Sequence, residues 1–169
     1  MPKTTTFSCF AILTLWGSIA MSATPVSQTR SFLLGASCER AFPMFTPLGE
    51  RAWAPGWEPH MLSGEKERGS VFRTRHPNGA EATWIVTDYD PARHHVAYAR
   101  LVDGSNMGLV EVRCTPAGQG SSIEVTYTLT AVSESGKAFV EEFLSDRHYD
   151  AMIAEWKEMV SAALTTPEK

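Results

Sequence analysis

The 169-residue sequence has three cysteines, Cys9, Cys38 and Cys114, too widely spaced for any Cys-x-x-Cys metal or redox motif. It also lacks a basic run or stripe. Fifteen Lys and Arg are scattered among nineteen Asp and Glu, for a net charge of −4, which removes the footprint a nucleic-acid binder needs. No block of like charge reads as a disordered tail. There is no Walker-type loop, serine elbow, internal repeat or low-complexity segment. Gly118-Gln119-Gly120 precedes a strand, so it reads as a hairpin turn and not as a phosphate cradle, which opens a helix. His94 and His95 are adjacent, and in a strand neighbours face opposite sides. Asp88 and Asp90 beside them read as turn formers. No metal site is therefore expected, and nothing points to a cofactor.

What is present is a large apolar payload. The chain is 43% hydrophobic and 20% charged, with five Trp, enough for the core of one domain. The first two dozen residues differ from the rest. Lys3 is their one charge, an apolar run follows from Phe7 to Ala20, and Ala20-Met21-Ser22-Ala23 supplies small residues. This is the pattern of a secretory signal peptide, residues 1–23, cleaved near Ser22 or Ala23. The run is shorter than the roughly 20 apolar residues of a membrane span, and Cys9 lies too early to be a lipidated cysteine. The expectation is an exported protein, periplasmic or secreted, without a stable membrane anchor, folded as a single domain over residues 24–169. Cys38 and Cys114 then remain. In an oxidising compartment they could pair, but Cys38 opens an apparent helix while Cys114 sits in a strand, and two buried free thiols are the expectation.

A strand is expected from Val26 to Leu34, then a turn at Gly35-Ala36-Ser37 with Ser37 as helix N-cap. A short helix through Ala41, Phe42 and Phe45 should stop at Thr46-Pro47. A second, Leu48 to Trp53, should stop at Pro55-Gly56. From His60 to Val132 the hydrophobic period becomes two. Ile123, Val125, Tyr127, Leu129 and Ala131 share one face. Val110, Val112 and Cys114 share another, and so do Val96, Tyr98 and Arg100, then Ala82, Trp84 and Val86, and finally Phe72 and Thr74. Turn signals at His76-Pro77-Asn78-Gly79, Asp88 to Pro91, Asp103 to Asn106 and Pro116 to Gly120 separate these runs, which predicts an antiparallel meander of about six strands. Gly136 to Leu164 is helical in period, with a break near Ser145-Asp146. In the second part Met152, Trp156, Met159 and Ala163 form a stripe, widened by Tyr149, Ile153 and Val160. A helix from Asp146 to Leu164 is about 28 Å long and must lie across the sheet. A curved sheet is wider than one helix can fill, so a cavity is expected between them, closed at one end by the short helices.

This element order resembles the START-related, polyketide-cyclase-like superfamily (SRPBCC) over about Val26 to Leu164. The stretches that carry the resemblance are Phe45-Thr46-Pro47-Leu48-Gly49-Glu50-Arg51, Trp53-Ala54-Pro55-Gly56-Trp57, Ala82-Thr83-Trp84-Ile85-Val86-Thr87, and Tyr149 to Trp156. They look like those of a bacterial branch. The resemblance implies an α+β helix-grip fold, a curved antiparallel sheet wrapped around a long C-terminal helix, with a central hydrophobic pocket. Members of the superfamily include lipid and hormone binders, aromatase/cyclase domains and stress-response proteins. Fold does not fix function, and a leader peptide sets this chain apart from cytosolic members.

The expected ligand-binding residues are Trp53, Trp57, Trp84, Tyr98, Arg100, Tyr127, Met152 and Trp156. Trp53 and Trp57 either line the pocket mouth or plug the short helices onto the sheet. Arg100 either faces inward, to meet a carboxylate or carbonyl, or is solvated at its strand end, the arrangement expected here. Core packing alone would explain Met152 and Trp156. For acid–base chemistry the candidates are His60, His148, Arg100, Tyr98 and Tyr127, with His148 reading as a boundary residue. Three functions follow. The leading one is a non-catalytic binder or carrier of a small hydrophobic or aromatic molecule, with no nucleic-acid partner. The alternative is a cyclase/dehydrase- or hydrolase-type enzyme using polar groups in the same cavity. The third is a structural role with the cavity collapsed and Trp84 against Trp156. An enzyme requires two or more titratable side chains converging in the cavity; a binder requires at most one.

Overall fold

The computed structural model describes residues 23–75 and 79–165. All of the expected leader except Ala23, and the His76-Pro77-Asn78 part of the first hairpin turn, lie outside the described residues. Strand β1 (Val26–Leu34) is followed by α1 (Cys38–Ala41) and two 3-10 turns, Phe42–Phe45 and Gly49–Ala52. The meander is β2 (His60–Ser63), β3 (Val71–Arg75), β4 (Glu81–Asp90), β5 (His95–Val102), β6 (Asn106–Ala117) and β7 (Gly120–Ala131). Helices α2 (Glu134–Phe143) and α3 (Asp146–Thr165) complete the fold. The seven strands form one antiparallel sheet in the order β1-β7-β6-β5-β4-β3-β2. This is the expected α+β helix-grip architecture.

Period-two alternation places the core. Ile123, Val125 and Leu129 are fully buried, and Val110, Val112, Val96, Val86 and Phe72 join them on the concave face. Bulges between Val86 and Asp88 and between Met61 and Ser63 add the local bend that curves a sheet. Asp88 is thus a strand residue at a bulge and not a turn former. Its carboxylate meets His95 Nδ1 at 2.8 Å. Asp90 does form the turn, accepting from the Arg93 amide at 3.0 Å.

The first short helix divides in two because Pro43 has no N–H to continue an α-helical ladder. The chain tightens into the 3-10 turn Phe42–Phe45 instead. Ser37 is the N-cap of α1 by position, without a side-chain cap bond. Thr46 joins the two turns: its hydroxyl donates to the Pro43 carbonyl at 2.8 Å and accepts from the Gly49 amide at 3.1 Å. A Cβ at Gly49 would collide with that same carbonyl, which explains the glycine.

The cysteines correct the expectation of free thiols. Cys38 and Cys114 form a disulfide, with their Cα atoms 5.7 Å apart, inside the usual range for a bridge. The separate-element argument failed because α1 packs directly on β6, a long-range contact that no local pattern reports.

The helical break falls where expected. Ser133 caps α2 by accepting from the Gly136 amide at 2.9 Å, and Ser145 accepts from the His148 amide at 3.3 Å at the start of α3. The stripe on α3 is rotated from the expected one. Its fully seated line is Tyr149, Ile153 and Val160, fixed by the Tyr149 hydroxyl donating to the Val125 carbonyl at 3.1 Å. Met152, Trp156 and Met159 are half-buried at the helix edge. That rotation leaves a space beside the helix.

Candidate functional site

The space is a cleft of about 360 Å³, within the size range of small-molecule sites. Its floor is the concave sheet, through Trp84, Arg100 and Tyr127. One wall is the edge of α3, with Met152, Trp156 and Met159, and another is α2, with Phe139 and Phe143. The Trp53–Trp57 segment and Glu50 close the remaining side. A recess of about 20 Å³ continues inward between Glu50, Trp57, Trp84, Tyr98 and Tyr127, room for about one water. A second depression, of about 320 Å³, lies outside the sheet interior beside Val26, Lys137 and Val140, and no buried charge faces it.

The aromatic walls brace one another. Trp84 stacks on Phe72 (centroids 5.7 Å apart, planes at 3°), and both meet Trp57 and Tyr98 edge-on. Trp156 meets Trp53 at 5.1 Å. Among the described residues Trp84 and Trp156 form no ring pair with each other, and both line the inner recess. Trp53 and Trp57 combine both arrangements considered for them. Their indole N–H groups donate to the Met44 and Pro47 carbonyls, each at 2.7 Å, so they seat the short helical turns. Their ring faces still line the cleft. Tyr98 reaches only the inner recess, because its hydroxyl donates to the Phe45 carbonyl at 2.7 Å.

Three polar groups in the cleft are less well satisfied. Arg100 corrects the solvated arrangement: it is 5% exposed. Opposite it in the register is Trp84, and the guanidinium lies 5.4 Å from that ring's centroid, in cation–π range. Among the described residues its one hydrogen bond is from Nη1 to Asn106 Oδ1 at 2.7 Å, and no carboxylate there pairs with it. Burial lowers its pKa, yet a guanidinium stays protonated in a protein. The Tyr127 hydroxyl has no partner among the described residues, and burial, then the nearby Glu50, push its pKa up. Glu50 lines both cleft and recess, and its carboxyl has no hydrogen-bond partner among the described residues. Desolvation alone raises its pKa to about 8, so this carboxyl is largely protonated at neutral pH.

Glu50 and the α2 pair Phe139–Phe143 were missed by sequence reasoning. Phe139 and Phe143 carry a faint signal, an i, i+4 aromatic pair, and they stack at 5.4 Å. Glu50 carries none, since a lone Glu on a short turn reads as surface. Of the acid–base candidates, His60 and His148 are exposed and outside the cleft. Among the described residues no three His, Cys, Asp or Glu side chains are grouped as metal ligands, and no helix is long and apolar enough to cross a membrane.

The family model for polyketide cyclase/dehydrase and lipid transport proteins matches residues 25–163. The chain belongs to this family. Its helix-grip architecture recurs in solved structures of low identity. The crystal structure of Ara h 8.0201 has a TM-score of 0.64 at 12% identity, covering 85% of this chain and 100% of that one. Norcoclaurine synthase from Thalictrum flavum, in complex with dopamine and hydroxybenzaldehyde, has a TM-score of 0.63 at 16% identity, covering 95% and 100%. Protein MLL2253 from Mesorhizobium loti has a TM-score of 0.64 at 11% identity, covering 85% and 100%. No curated protein matches the sequence. At these identities the neighbours establish the fold, and the family supports binding of a hydrophobic ligand.

Proposed function

We propose that the protein is an exported binder, and by that token a carrier, of a small hydrophobic or aromatic molecule held between the concave sheet and α3. The observation that carries this reading is the 360 Å³ cleft, walled by Trp84, Trp156, Met152 and Phe143 and braced open by indoles tied to backbone. Thioether and aromatic walls suit an apolar guest of variable outline. The family's lipid-transport membership is consistent with it, as are the two aromatic molecules in the norcoclaurine synthase structure. Export rests on the leader pattern of residues 1–23 and on the Cys38–Cys114 disulfide, since such bridges persist in oxidising compartments.

A second reading has one specific observation in its favour. Glu50, Tyr127 and Arg100 all reach the cleft, where a simple binder needs at most one titratable group. A cyclase/dehydrase- or hydrolase-type enzyme would use them as proton carrier and oxygen-binding donors. The experiment is native mass spectrometry of protein recovered from the periplasm or medium of its own host. A retained small molecule of defined mass, released unchanged after incubation, supports the binder. Release of a chemically altered molecule supports the enzyme. A bare protein in which the leader is still attached overturns the exported-carrier reading.

A further inference from the structure

Burying an ion without a counter-ion is among the costliest arrangements in a protein interior. Arg100 is buried with only a neutral amide and an indole face for company. Asn106, 1% exposed, is itself held by donating from Nδ2 to Ser105 Oγ at 2.8 Å, so its oxygen is aimed at the guanidinium and fixes that side chain's direction. Among the described residues only Nη1 is engaged, and the remaining donors of the five-donor fork have no partner there while the residue lines the cleft. The Tyr127 hydroxyl, without a partner among the described residues, lines the same cleft as Arg100. The cleft therefore contains one positive charge without an ion-pair partner among the described residues and a neighbouring neutral donor, in a lining that is otherwise apolar except for the Glu50 carboxyl and the exposed Glu155.

We propose that the cleft's occupant is an apolar acid whose carboxylate is bound by the Arg100 guanidinium, with the Tyr127 hydroxyl as a second donor. This rests on the binder reading and names its ligand class. A planar fork matches a carboxylate through paired hydrogen bonds. A single positive charge neutralises a single negative one. A doubly charged phosphate would keep an unbalanced charge in an apolar cavity, which argues against that class. The indole of Trp84 under the guanidinium and the Asn106 contact leave the fork little freedom, so little ordering is needed when an acid binds.

The test is calorimetric titration of the mature, disulfide-bonded protein at pH 6.5 with 2-naphthoate and with decanoate, each against its primary amide. The expected result is that at least one acid binds tenfold or more tightly than its amide. Arg100→Gln should remove that preference, lowering acid affinity tenfold or more and amide affinity much less, and Tyr127→Phe should weaken acid binding severalfold. Arg100→Lys, which keeps the charge without the fork, should retain part of the preference, and it serves in place of Arg100→Gln should that variant not fold. Acids and amides binding equally to the wild-type protein would overturn the carboxylate assignment and leave the binder reading standing. An acid preference that survives Arg100→Gln would overturn it as well. If none of the four compounds binds, the binder reading falls and takes the assignment with it.

Discussion

Glu50 offers the sharpest physical test, because its carboxyl is enclosed by the cleft walls without a partner. Desolvation raises its pKa from an ordinary 4.5 to about 8. Between those values the unfolded chain has released this proton while the folded protein keeps it. Folded-state stability therefore falls as pH rises, at about 1.4 kcal/mol per unit, and levels off above pH 8. The full interval corresponds to at most about 5 kcal/mol. As a residue Glu50 is only half-buried and the cleft opens to water, so screening reduces this, and about 2 kcal/mol is expected. Glu50→Gln keeps the shape and removes the titration. Urea unfolding of both proteins at pH 5, 7 and 9, disulfide intact, isolates the effect as the difference between two curves. The Gln variant should be the more stable by about 2 kcal/mol at pH 9 and by less than half of that at pH 5. Parallel pH profiles would refute the assignment of a buried, protonated Glu50.

Replacing Cys38 and Cys114 together by Ser opens a bridge spanning 76 residues and should cost roughly 4 kcal/mol on the chain-entropy account, read as a lowered urea midpoint; an unchanged midpoint refutes it. Tyr98→Phe strands the Phe45 carbonyl and should lose about 1–2 kcal/mol in thermal unfolding. Tyr127→Phe removes a hydroxyl with no partner among the described residues and should lose less than about 0.5 kcal/mol; equal losses would contradict the hydrogen-bond assignment. Arg100→Met combined with Asn106→Leu removes the buried cation and the amide it would leave orphaned, and should stabilise the empty protein by about 1 kcal/mol, with a loss in melting temperature as the refuting result.

The sheet was legible because a strand with one dry face writes that face into the sequence. Val110-Val112-Cys114 and Ile123 to Ala131 turn inward as their alternation requires, and Val26–Leu34 holds its expected bounds. Periodicity on α3 was less exact. At 3.6 residues per turn, neighbouring stripes differ by less than the width of a seated face, so the line through Met152 and Trp156 could not be told from the line through Tyr149, Ile153 and Val160. The tertiary contact of Tyr149 with β7 decides it. What stayed illegible depends on juxtaposition. The Cys38–Cys114 bridge needs α1 on β6, and the shifted pKa of Glu50 needs a 3-10 turn pressed against aromatic walls.

The polar groups of the cleft and its aromatic walls make demands that conflict in an empty protein. Trp53 and Trp57 fix the cavity mouth by spending their N–H groups on backbone carbonyls, so they give the fold rigidity and leave only ring faces for a guest. Stability alone would favour filling the remaining space and replacing Arg100 and Glu50 with apolar side chains. The chain instead keeps the Arg100 cation and the Glu50 carboxyl in one cleft, which the exposed Glu155 also lines, and no ion pair joins Arg100 to either. Had they met, each would have neutralised the other and nothing would remain for a ligand. Without an ion pair between them, Arg100, Tyr127 and the Glu50 carboxyl are all left free to meet a guest in the cleft. A molecule that satisfies either end restores to the folded state what burial removed, and in this way polar discrimination is placed inside an otherwise apolar site.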